Sequence, residues 1–382
     1  MLGYNILLKK LAKFERVKKG DKTMKAIILC AGKGTRLRPL TYTTAKHLIP
    51  VANKPVILYT IEKIKSVGIK QIGIIVSPEN KADFEENLGD GSKYGVEITY
   101  ILQPEPKGLA HAVLMAKDFL GDEDFMMYLG DNLIMDDIRP FVDEFEQRKN
   151  ISALIMLSPV NDPTRFGIAV MEGNRIVKTV EKPKEPPSNL AIIGLYLFRK
   201  DIFEGIANIK PSWRGELEIT DAIDWLIQNK GNVEGHIIYG WWKDTGKPED
   251  LLEANHKILD DIIEEFKIKG TVEASSVIQG RVSIGEGTEV VNSVIRGPVI
   301  IGENCTISNA YIGPYTSIGN GVLIENCELE NSIVMDEVRI SNFSPRIDSS
   351  LIGKKVEIVE NDGKPKGVQI IVGDLGKVIV SR

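Results

Sequence analysis

The feature that most constrains the fold of this 382-residue chain is a 17-residue repeat that begins beyond residue 270. Apolar side chains recur in steps of six, six and five residues, and glycines keep the same 17-residue period. The apolar positions are Ile278, Ile284, Val290, Ile295, Ile301, Ile307, Ile312, Ile318, Ile324 and Leu329, and the glycines are Gly285, Gly302 and Gly319. Three short strands per turn with glycine at the corners are typical of hexapeptide-repeat proteins, whose coils bury their apolar faces by stacking. Residues 270–360 are therefore predicted to form a left-handed parallel β-helix.

The segment that precedes the repeat has a different pattern. From Met24 to about Ile238, short apolar runs alternate with amphipathic helical stretches such as Val56–Val67 and Ala110–Phe119. This alternation predicts an α/β domain with a Rossmann-like, mostly parallel sheet that is covered by helices on both faces. We assign residues 24–246 to this domain, and residues 247–269 to a helical linker with its helix at Leu251–Phe266. The runs predicted as buried strands are Ala26–Leu29, Ile72–Val76, Phe125–Leu129 and Ile151–Leu157.

The two ends of the chain lie outside these units. Residues 1–23 carry seven Lys or Arg against two acids, with Leu7, Leu11 and Phe14 at helical spacing. This segment is expected to be a poorly ordered extension, and the alternative is a surface helix for an anionic partner. Residues 361–382 contain two apolar runs, Val368–Val372 and Lys377–Val380, around a Gly-Asp-Leu-Gly segment. That pattern predicts a C-terminal tail with a hairpin.

Composition excludes several classes of function. A net charge of −5 gives no support to a nucleic-acid partner, and no stretch approaches the roughly 18 apolar residues needed to cross a membrane. The three cysteines, Cys30, Cys305 and Cys327, are too few and too scattered for a disulfide framework or a zinc cluster. We therefore expect a cytoplasmic protein.

A glycine-rich turn follows the first predicted strand, in Ala31–Pro39. Glycines in such a turn let backbone N–H groups approach phosphates closely, and Arg36 and Lys46 add the positive charge that a transferring phosphoryl group requires. The spacing matches neither the Rossmann G-x-G-x-x-G nor the P-loop motif, which argues against a dehydrogenase or an ATPase.

The region around this turn, from Leu29 to Ile57, reads G-x-G-T-R-L-x-P-L-T and then Lys46 and Pro50–Pro55. It resembles the signature of the sugar-1-phosphate nucleotidyltransferases, and within them it is most similar to glucose-1-phosphate thymidylyltransferases. The resemblance covers residues 24 to 260. Its combination with a C-terminal β-helix is similar to the long form of this family and to relatives that carry UDP- or ADP-sugar chemistry, and it also resembles the bifunctional uridylyltransferase/acetyltransferases, so the β-helix alone does not indicate the substrate. The further motifs, in the family's order, are Gln103–Ala110, Leu129–Asn132, Arg165–Gly167, Glu181–Pro183, Gly194–Tyr196, Arg214–Asp221 and Trp242–Gly246.

The resemblance implies roles for the residues of the nucleotide site. Arg36 is expected to face the β- and γ-phosphates and to stabilise the leaving pyrophosphate, while Lys46 holds the triphosphate. Lys182 completes the catalytic set by binding the sugar phosphate. The other residues implied at the nucleotide are Leu29, Gly32, Gly34, Thr35, Gln103 and Gly108.

For the sugar phosphate, the resemblance implies Arg214 as a second cation beside Lys182. The hexose hydroxyls are expected to be read by Asn132, Glu181 and the backbone of Gly167, with Tyr196 lining the pocket. Phe166 stands where thymidylyltransferases commonly carry a tyrosine, so one hydroxyl contact is missing. His111 lies beside the nucleotide loop, where we expect a packing or capping role.

Two carboxylates are candidates for a metal site. Asp131 follows an apolar run at the carboxyl edge of the predicted sheet, and Asp244 follows another strand-like run. Open α/β sheets bind their ligands at that edge, and Mg²⁺ in phosphate-transfer sites is held by one or two carboxylates plus substrate oxygens. Matching both motifs to the family implies that Asp131 and Asp244 bind Mg²⁺.

The expected reaction is the Mg²⁺-dependent transfer of a nucleotidyl group from dTTP, or from UTP, to glucose 1-phosphate, with release of pyrophosphate. Two alternatives stay open: a UTP-dependent pyrophosphorylase that makes UDP-glucose or UDP-N-acetylglucosamine, and a non-catalytic regulatory or scaffold homologue. The expected partners are the nucleotide and the hexose 1-phosphate, without nucleic acid or membrane, and a homo-oligomer is predicted because the ends of a β-helix need cover.

Overall fold

A computed structural model of the protein describes residues 24–261, 267–360 and 376–377. The predicted extension at residues 1–23 lies outside the described residues. So does the predicted C-terminal hairpin, apart from two residues of its loop region.

The first domain is built on a nine-stranded sheet with the strand order β5-β4-β1-β6-β11-β8-β12-β10-β9. Strands β10 and β11 run against the other seven. The predicted Rossmann-like, mostly parallel sheet is therefore confirmed. The strands are β1 Lys25–Leu29, β4 Gln71–Val76, β5 Glu97–Leu102, β6 Phe125–Leu129, β8 Ala153–Pro159, β9 Gly167–Glu172, β10 Arg175–Glu181, β11 Leu190–Phe198 and β12 Val233–Ile237.

Helices cover both faces of this sheet and bury one apolar core on each side. The predicted helix over residues 110–119 is in fact two helices that meet at Ala116. The α-helices are α1 Val56–Ser66, α2 Lys81–Leu88, α3 Leu109–Met115, α4 Lys117–Leu120, α5 Arg139–Gln147, α6 Ile202–Asn208, α7 Ile219–Asn229 and α8 Pro248–Asp261. Single 3₁₀ turns lie at Thr35–Leu37, Leu40–Tyr42, Lys46–Leu48, Ser92–Tyr94 and Pro163–Arg165. None of the helices described is long and apolar enough to cross a bilayer.

Two small antiparallel pairs complete the domain at the carboxyl ends of the strands. One is a hairpin of β2 Pro50–Val51 and β3 Lys54–Pro55. The other joins β7 Asn132–Ile134 to β13 Trp242–Asp244, so that Asp244 lies opposite Asn132. This second pair brings two distant parts of the chain to the same edge of the large sheet.

The second domain consists of three parallel sheets whose strands alternate along the chain. This arrangement confirms the predicted parallel β-helix and is consistent with its left-handed form. The first sheet holds β14 Thr271–Val272, β17 Glu289–Val291, β20 Thr306–Ser308, β23 Leu323–Glu325, β26 Arg339–Ser341 and β29 Glu357–Val359. The second holds β15 Val277–Gln279, β18 Val294–Arg296, β21 Tyr311–Ile312, β24 Glu328–Glu330 and β27 Ile347–Asp348. The third holds β16 Val282–Ile284, β19 Val299–Ile301, β22 Thr316–Ile318, β25 Ile333–Val334 and β28 Leu351–Ile352.

The 17-residue period of the sequence is the number of residues between equivalent positions in adjacent coils. Val277 pairs with Val294, 17 residues on, and Val294 pairs with Tyr311 after the same step. The corner glycines are required by close approach: a Cβ at Gly285 would lie 2.4 Å from the carbonyl oxygen of Gly302 in the next coil. Any other residue there would separate the stacked coils.

Helix α8, which falls in the segment predicted as a linker, packs between the two domains. Its buried residues Leu251, Ala254 and Ile258 share one apolar core with the hairpin β2–β3 and with β25. The β-helix is therefore packed against the first domain rather than joined to it by the chain alone.

Candidate active site

The centre of the site is a lysine that is clamped by a carboxylate. Lys46 Nζ donates a hydrogen bond to Asp131 Oδ2, and the side chains of both residues are less than a fifth exposed. The N–H and the hydroxyl of Thr245 both donate to the carbonyl oxygen of Asp131 at 2.9 Å. These contacts place Asp244, the residue before Thr245, beside Asp131.

The two carboxylates titrate differently. Burial opposes the ionisation of Asp131, but the neighbouring Lys46 ammonium holds the pKa of that carboxyl below its ordinary value. Burial and the negative charge of Asp131 raise the pKa of Asp244 from 3.8 to about 6. The pKa of Lys46 is raised because Asp131 outweighs the effect of its burial. Lys46 and Asp131 therefore form a stable ion pair, and Asp244 carries a charge that this pair does not compensate.

The glycine-rich turn folds over this pair. A Cβ at Gly32 would lie 3.7 Å from Lys46 Nζ, and one at Gly34 would lie 3.1 Å from Lys46 Cβ. Gly34 has a φ of +59°, which glycine adopts at little cost. Thr35 and Arg36 follow with exposed side chains. A Cβ at Gly246 would lie 3.4 Å from Arg36 Nη2 and 3.0 Å from Asp244 Oδ1, so Arg36 reaches the same centre.

The donor set fits a hard divalent cation. Asp244 Oδ1 is buried without a hydrogen-bond partner among the described residues, and such unpaired buried acceptors are rare. Two adjacent carboxylates, one with a free oxygen and a raised pKa, are the ligands that Mg²⁺ takes in phosphate-transfer sites. No cluster of three or more carboxylate, histidine or cysteine ligands lies within the part of the chain described, so substrate or water oxygens would complete the coordination.

The raised pKa of Asp244 predicts a stability effect with a definite sign. Because this pKa is higher in the folded than in the unfolded chain, the contribution of Asp244 to stability is complete below about pH 4 and is lost as the pH rises through about 6. In EDTA at pH 7.5, Asp244→Asn should therefore raise the melting temperature, by removing a penalty of at most about 3 kcal/mol. The gain should shrink towards pH 4.5 in thermal melts.

Asp143→Asn is the matched control, because Asp143 is an exposed aspartate on α5. It should leave the melting temperature unchanged at both pH values. An unchanged or lower melting temperature for Asp244→Asn at pH 7.5 would contradict the assignment of an uncompensated charge.

Next to Asp131, the side chain of Asn132 is fixed by strand β11. Asn132 Nδ2 donates to the carbonyl oxygen of Ile193 at 2.9 Å, and Asn132 Oδ1 is a buried acceptor without a partner in the described chain. The following residue, Gly194, has a φ of +79° and lies where β11 shifts register against β8. Its lack of a side chain leaves the space that the Asn132 amide occupies, because a Cβ there would lie 2.0 Å from Asn132 Nδ2.

This close approach makes Gly194→Ala a sharp test of the role of Asn132. The added methyl group must displace the amide and also meets Leu129, whose Cδ1 would lie 2.8 Å away, so the hydrogen bond predicted between Asn132 and the sugar should be lost. We expect the KM for the sugar phosphate to rise roughly 10-fold to 100-fold, the equivalent of about 1–3 kcal/mol. Gly173→Ala is the control, since Gly173 has a similar φ of +61° but open space around its Cβ position. Equal kinetic effects from the two substitutions would show that backbone strain, not Asn132, is responsible.

Acidic and basic side chains from two loops meet beside this strand. Glu181 lies opposite Gly167 in the β9–β10 pair, and burial raises its pKa. Arg214 Nη1 lies 3.6 Å from Glu181 Oε1 and 3.4 Å from Glu218 Oε1, while Lys182 Nζ lies 3.4 Å from Glu181 Oε1. The predicted sugar-phosphate cations are thus brought together around one carboxylate.

The remaining predicted residues of this region are packed more deeply. Tyr196 is 3% exposed and stacks on Phe198, so its ring forms part of the core beneath the site. Leu29, at the end of β1, is also buried. Phe166 packs edge-to-face on Trp242 at 5.5 Å between ring centroids, and the Arg165 guanidinium lies 5.8 Å from the centre of its ring.

The loop Gln103–Ala110, which carries Gln103 and Gly108 of the predicted nucleotide site, is anchored through its glutamine. Gln103 is buried, and its Nε2 lies 3.1 Å from the carbonyl oxygen of Gly108 and 3.1 Å from His111 Nδ1. Burial and the positive charge of Lys107, next to the loop glycine, lower the pKa of His111, so His111 is neutral and its Nδ1 accepts the hydrogen bond. Leu217 bonds to the loop on both sides, to Lys107 O at 2.8 Å and from Ala110 N at 3.1 Å. The loop Gln103–Ala110 and the loop that carries Arg214 therefore form one continuous wall of the site.

Sequence reasoning missed three residues that shape the site. Thr245 holds Asp131, Gly194 makes room for Asn132, and Glu218, only 3% exposed, accepts hydrogen bonds from Ser212 and Arg214. All three lie inside motifs that the sequence singled out. Their conformational roles become visible only when the strands are paired.

An α/β domain with this site, followed by a β-helix, defines a class of enzyme that transfers nucleotidyl groups. The chain matches the family model for nucleotidyl transferases over residues 25–261, and the model for the C-terminal domain of GMPPB over residues 295–363. It belongs to the nucleotidyl transferase family, and its activity is nucleotidyl transfer to a sugar 1-phosphate.

Individual relatives are similar over almost their whole length. The chain is 50% identical to the low-salt glycan biosynthesis nucleotidyltransferase Agl11 of Haloferax volcanii, over 92% of this chain and 98% of that protein. It is 46% identical to a glucose-1-phosphate thymidylyltransferase of Streptomyces antibioticus, over 93% of this chain and 99% of that protein. A crystal structure of a Bacillus anthracis protein assigned as a glucose-1-phosphate thymidylyltransferase, in complex with sucrose, is 41% identical, with a TM-score of 0.59 over 64% of this chain and 98% of that one.

Proposed function

We propose that the protein transfers a thymidylyl group from dTTP, or a uridylyl group from UTP, to glucose 1-phosphate in a Mg²⁺-dependent reaction. The products are dTDP-glucose or UDP-glucose and pyrophosphate. Similarity to the Streptomyces thymidylyltransferase supports this choice of substrates. The cytoplasmic location and the homo-oligomer predicted from the sequence stay predictions.

The observation that carries the proposal is the orientation of Gln103. Its Nε2 is engaged by Gly108 O and His111 Nδ1, and its Oε1 has no hydrogen-bond partner among the described residues. A free amide oxygen accepts from a donor, and thymine and uracil present an imide N3–H where cytosine presents an acceptor. The loop therefore supports recognition of thymine or uracil over cytosine.

In the proposed reaction, an oxygen of the sugar phosphate attacks the α-phosphorus of the nucleotide. The new P–O bond forms as the bond to the β-phosphate oxygen breaks, and pyrophosphate leaves in line with the attack. The attacking phosphate is already an anion, so the protein needs no general base. Arg36 and the Gly32–Gly34 backbone neutralise the leaving phosphates, while Lys182 and Arg214 orient the attacking one.

Asp131 and Asp244 would hold the Mg²⁺, whose charge supplies electrostatic stabilisation at the phosphates. Lys46 keeps Asp131 ionised and in place through its ion pair. Burial of this pair also reduces competition from water, which strengthens each electrostatic contact with the phosphates.

The Gln103 geometry predicts an order of nucleotide preference. Thymine and uracil differ by one methyl group, worth about 0.8 kcal/mol when buried, so dTTP and UTP should both react, with a preference of roughly fourfold to tenfold. CTP would place two acceptors against each other and should be worse by roughly 10-fold to 100-fold in kcat/KM. A pocket for one ring should exclude ATP and GTP.

The test is a pyrophosphate-release assay with each triphosphate at fixed glucose 1-phosphate. Turnover of CTP equal to that of UTP would refute the role of Gln103. Efficient turnover of ATP or GTP would show that the loop does not define a pyrimidine site.

A second sugar substrate is favoured by Phe166. Its ring packs on Trp242 and offers no hydroxyl to the hexose, so discrimination by this residue is weaker than with a tyrosine. N-acetylglucosamine 1-phosphate is therefore the alternative acceptor to include in the assay. A non-catalytic scaffold is disfavoured, because Arg36, Lys46, Asp131 and Asp244 converge on one centre.

A further inference from the structure

The catalytic segment at residues 35–55 has two sides. Arg36 and Lys46 lie at the centre formed by Asp131 and Asp244, whereas the apolar residues between and after them face away from it. Leu37, directly after Arg36, is 1% exposed, and Ile49, three residues after Lys46, is fully buried. These side chains belong neither to the two cores of the large sheet nor to the core inside the β-helix.

The core they occupy is shared with α8 and with the β-helix. It contains Ile333 and Met335 from the β-helix together with the apolar face of α8. The segment that carries two catalytic cations is thus packed on its far side against the C-terminal domain. The full set of buried residues in this interdomain core is Leu37, Ile49, Val51, Ala52, Val56, Leu133, Leu251, Ala254, Ile258, Leu259, Ile333 and Met335.

One buried amide on α8 bonds both to the hairpin β2–β3 and to the β-helix. Asn255 on α8 is fully buried. Its Oδ1 accepts from the N–H of Ala52 at 2.8 Å and from the hydroxyl of Ser317 at 2.6 Å, and its Nδ2 donates to the carbonyl oxygen of Tyr315 at 2.9 Å. A second contact, from Asn53 Nδ2 to the carbonyl oxygen of Ile318 at 2.6 Å, ties the same hairpin to the same coil.

These bonds reach the hairpin turn close to Lys46. Ala52 and Asn53 form the turn of β2–β3 with φ angles of +47° and +60°. The N–H of Ile49 donates to the carbonyl oxygen of Lys46 at 3.3 Å, and β2 begins at the next residue, Pro50. The hairpin strand thus begins directly after the turn that carries Lys46, which makes the hairpin a candidate to position the Lys46 side chain.

We infer that Asn255 is a positioning residue for catalysis, through which the β-helix holds the hairpin and with it Lys46. An amide with three hydrogen bonds to two domains fixes one register between them, which apolar contacts alone do not. A displacement of about 1 Å at a reacting group costs roughly 100-fold in rate. The β-helix therefore contributes to catalysis by holding Lys46 in position. Its own residues need not touch a substrate.

The experiment compares kcat with stability in the full-length chain. Asn255→Leu removes all three bonds, and Asn53→Gly removes the second contact while keeping the positive φ at no cost. Thr288→Val is the matched control, since Thr288 is a fully buried β-helix residue whose hydroxyl bonds to Gly302 O and Cys305 N, far along the chain from the hairpin. All assays are run well below the melting temperature of each variant.

We expect kcat to fall roughly 10-fold to 100-fold in Asn255→Leu and roughly threefold to 10-fold in Asn53→Gly. The KM for the sugar phosphate should stay within threefold, because Glu181, Lys182 and Arg214 lie on other elements. Thr288→Val should lower the melting temperature and leave kcat unchanged. A purely structural role for Asn255 predicts the Thr288→Val behaviour in all three variants.

Variants with kcat within twofold of the wild type would overturn the inference. If Asn255→Leu does not fold, Asn53→Gly alone decides it. The inference rests on the proposed function only for the choice of assay substrates. Failure of the wild type to use either dTTP or UTP with glucose 1-phosphate would contradict that function, whereas the ratio of variant to wild type on any accepted pair tests Asn255.

Discussion

Replacing Asp131 by asparagine is expected to lower kcat by at least roughly 10²–10³-fold, the range seen when one preorganised electrostatic contact is removed. The substitution keeps the shape of the side chain but removes its charge. It therefore removes a proposed Mg²⁺ ligand and leaves the buried Lys46 ammonium without its carboxylate. Steady-state kinetics with saturating substrates and Mg²⁺ measures this loss directly.

Asp131→Asn should also destabilise the protein, which separates it from Asp244→Asn. Asp131 has a lowered pKa and pairs with Lys46, so its loss should cost about 1–3 kcal/mol of unfolding free energy at pH 7.5. Asp244→Asn should stabilise the metal-free protein although it is equally inactive. Thermal melts of the two variants should therefore move in opposite directions. Activity within 10-fold of wild type for Asp131→Asn would contradict its place at the reaction centre.

Removing the β-helix is the second change with a large expected effect. A chain that ends at Asp261 loses Ile333 and Met335 from the interdomain core and exposes Leu37, Ile49 and the apolar face of α8. Each buried aliphatic side chain is worth about 1.5–3 kcal/mol when removed from water. We expect loss of activity together with aggregation or a strongly lowered melting temperature.

Met335→Asp makes the same test in the full-length chain. Met335 is 2% exposed in the interdomain core, so a carboxylate there must be buried or must open the interface. Val359→Asp is the control, because Val359 on the last described coil is 54% exposed. Full activity of the truncated chain would contradict a supporting role for the β-helix.

The architecture could be predicted because periodicity records it directly. The 17-residue step at Ile278 and Ile295 is the spacing of adjacent coils, and the apolar runs at Ala26–Leu29 and Phe125–Leu129 are neighbouring parallel strands. The ends of individual strands do not follow from the apolar pattern. The strand predicted at Ile151–Leu157 runs over Ala153–Pro159, because pairing with β11 and β12 fixes its ends.

What sequence could not provide is the set of contacts made between distant segments. The pairing of Asn132 with Asp244 joins positions 112 residues apart and brings the Asp131 and Asp244 carboxylates together. Asn255 has no local pattern that marks it, since its partners Ala52 and Ser317 come from two other parts of the chain. The motifs indicated which residues matter. Only the packing shows how their pKa values and positions are set.

The central claim is tested most directly by product stoichiometry. The full-length protein is incubated with dTTP, glucose 1-phosphate and Mg²⁺, and both pyrophosphate and nucleotide sugar are quantified by chromatography with mass detection. We expect one dTDP-glucose for each pyrophosphate, and no product when EDTA replaces Mg²⁺. Folded protein that forms no nucleotide sugar from dTTP or UTP, or that releases pyrophosphate without a sugar product, would contradict the proposed function.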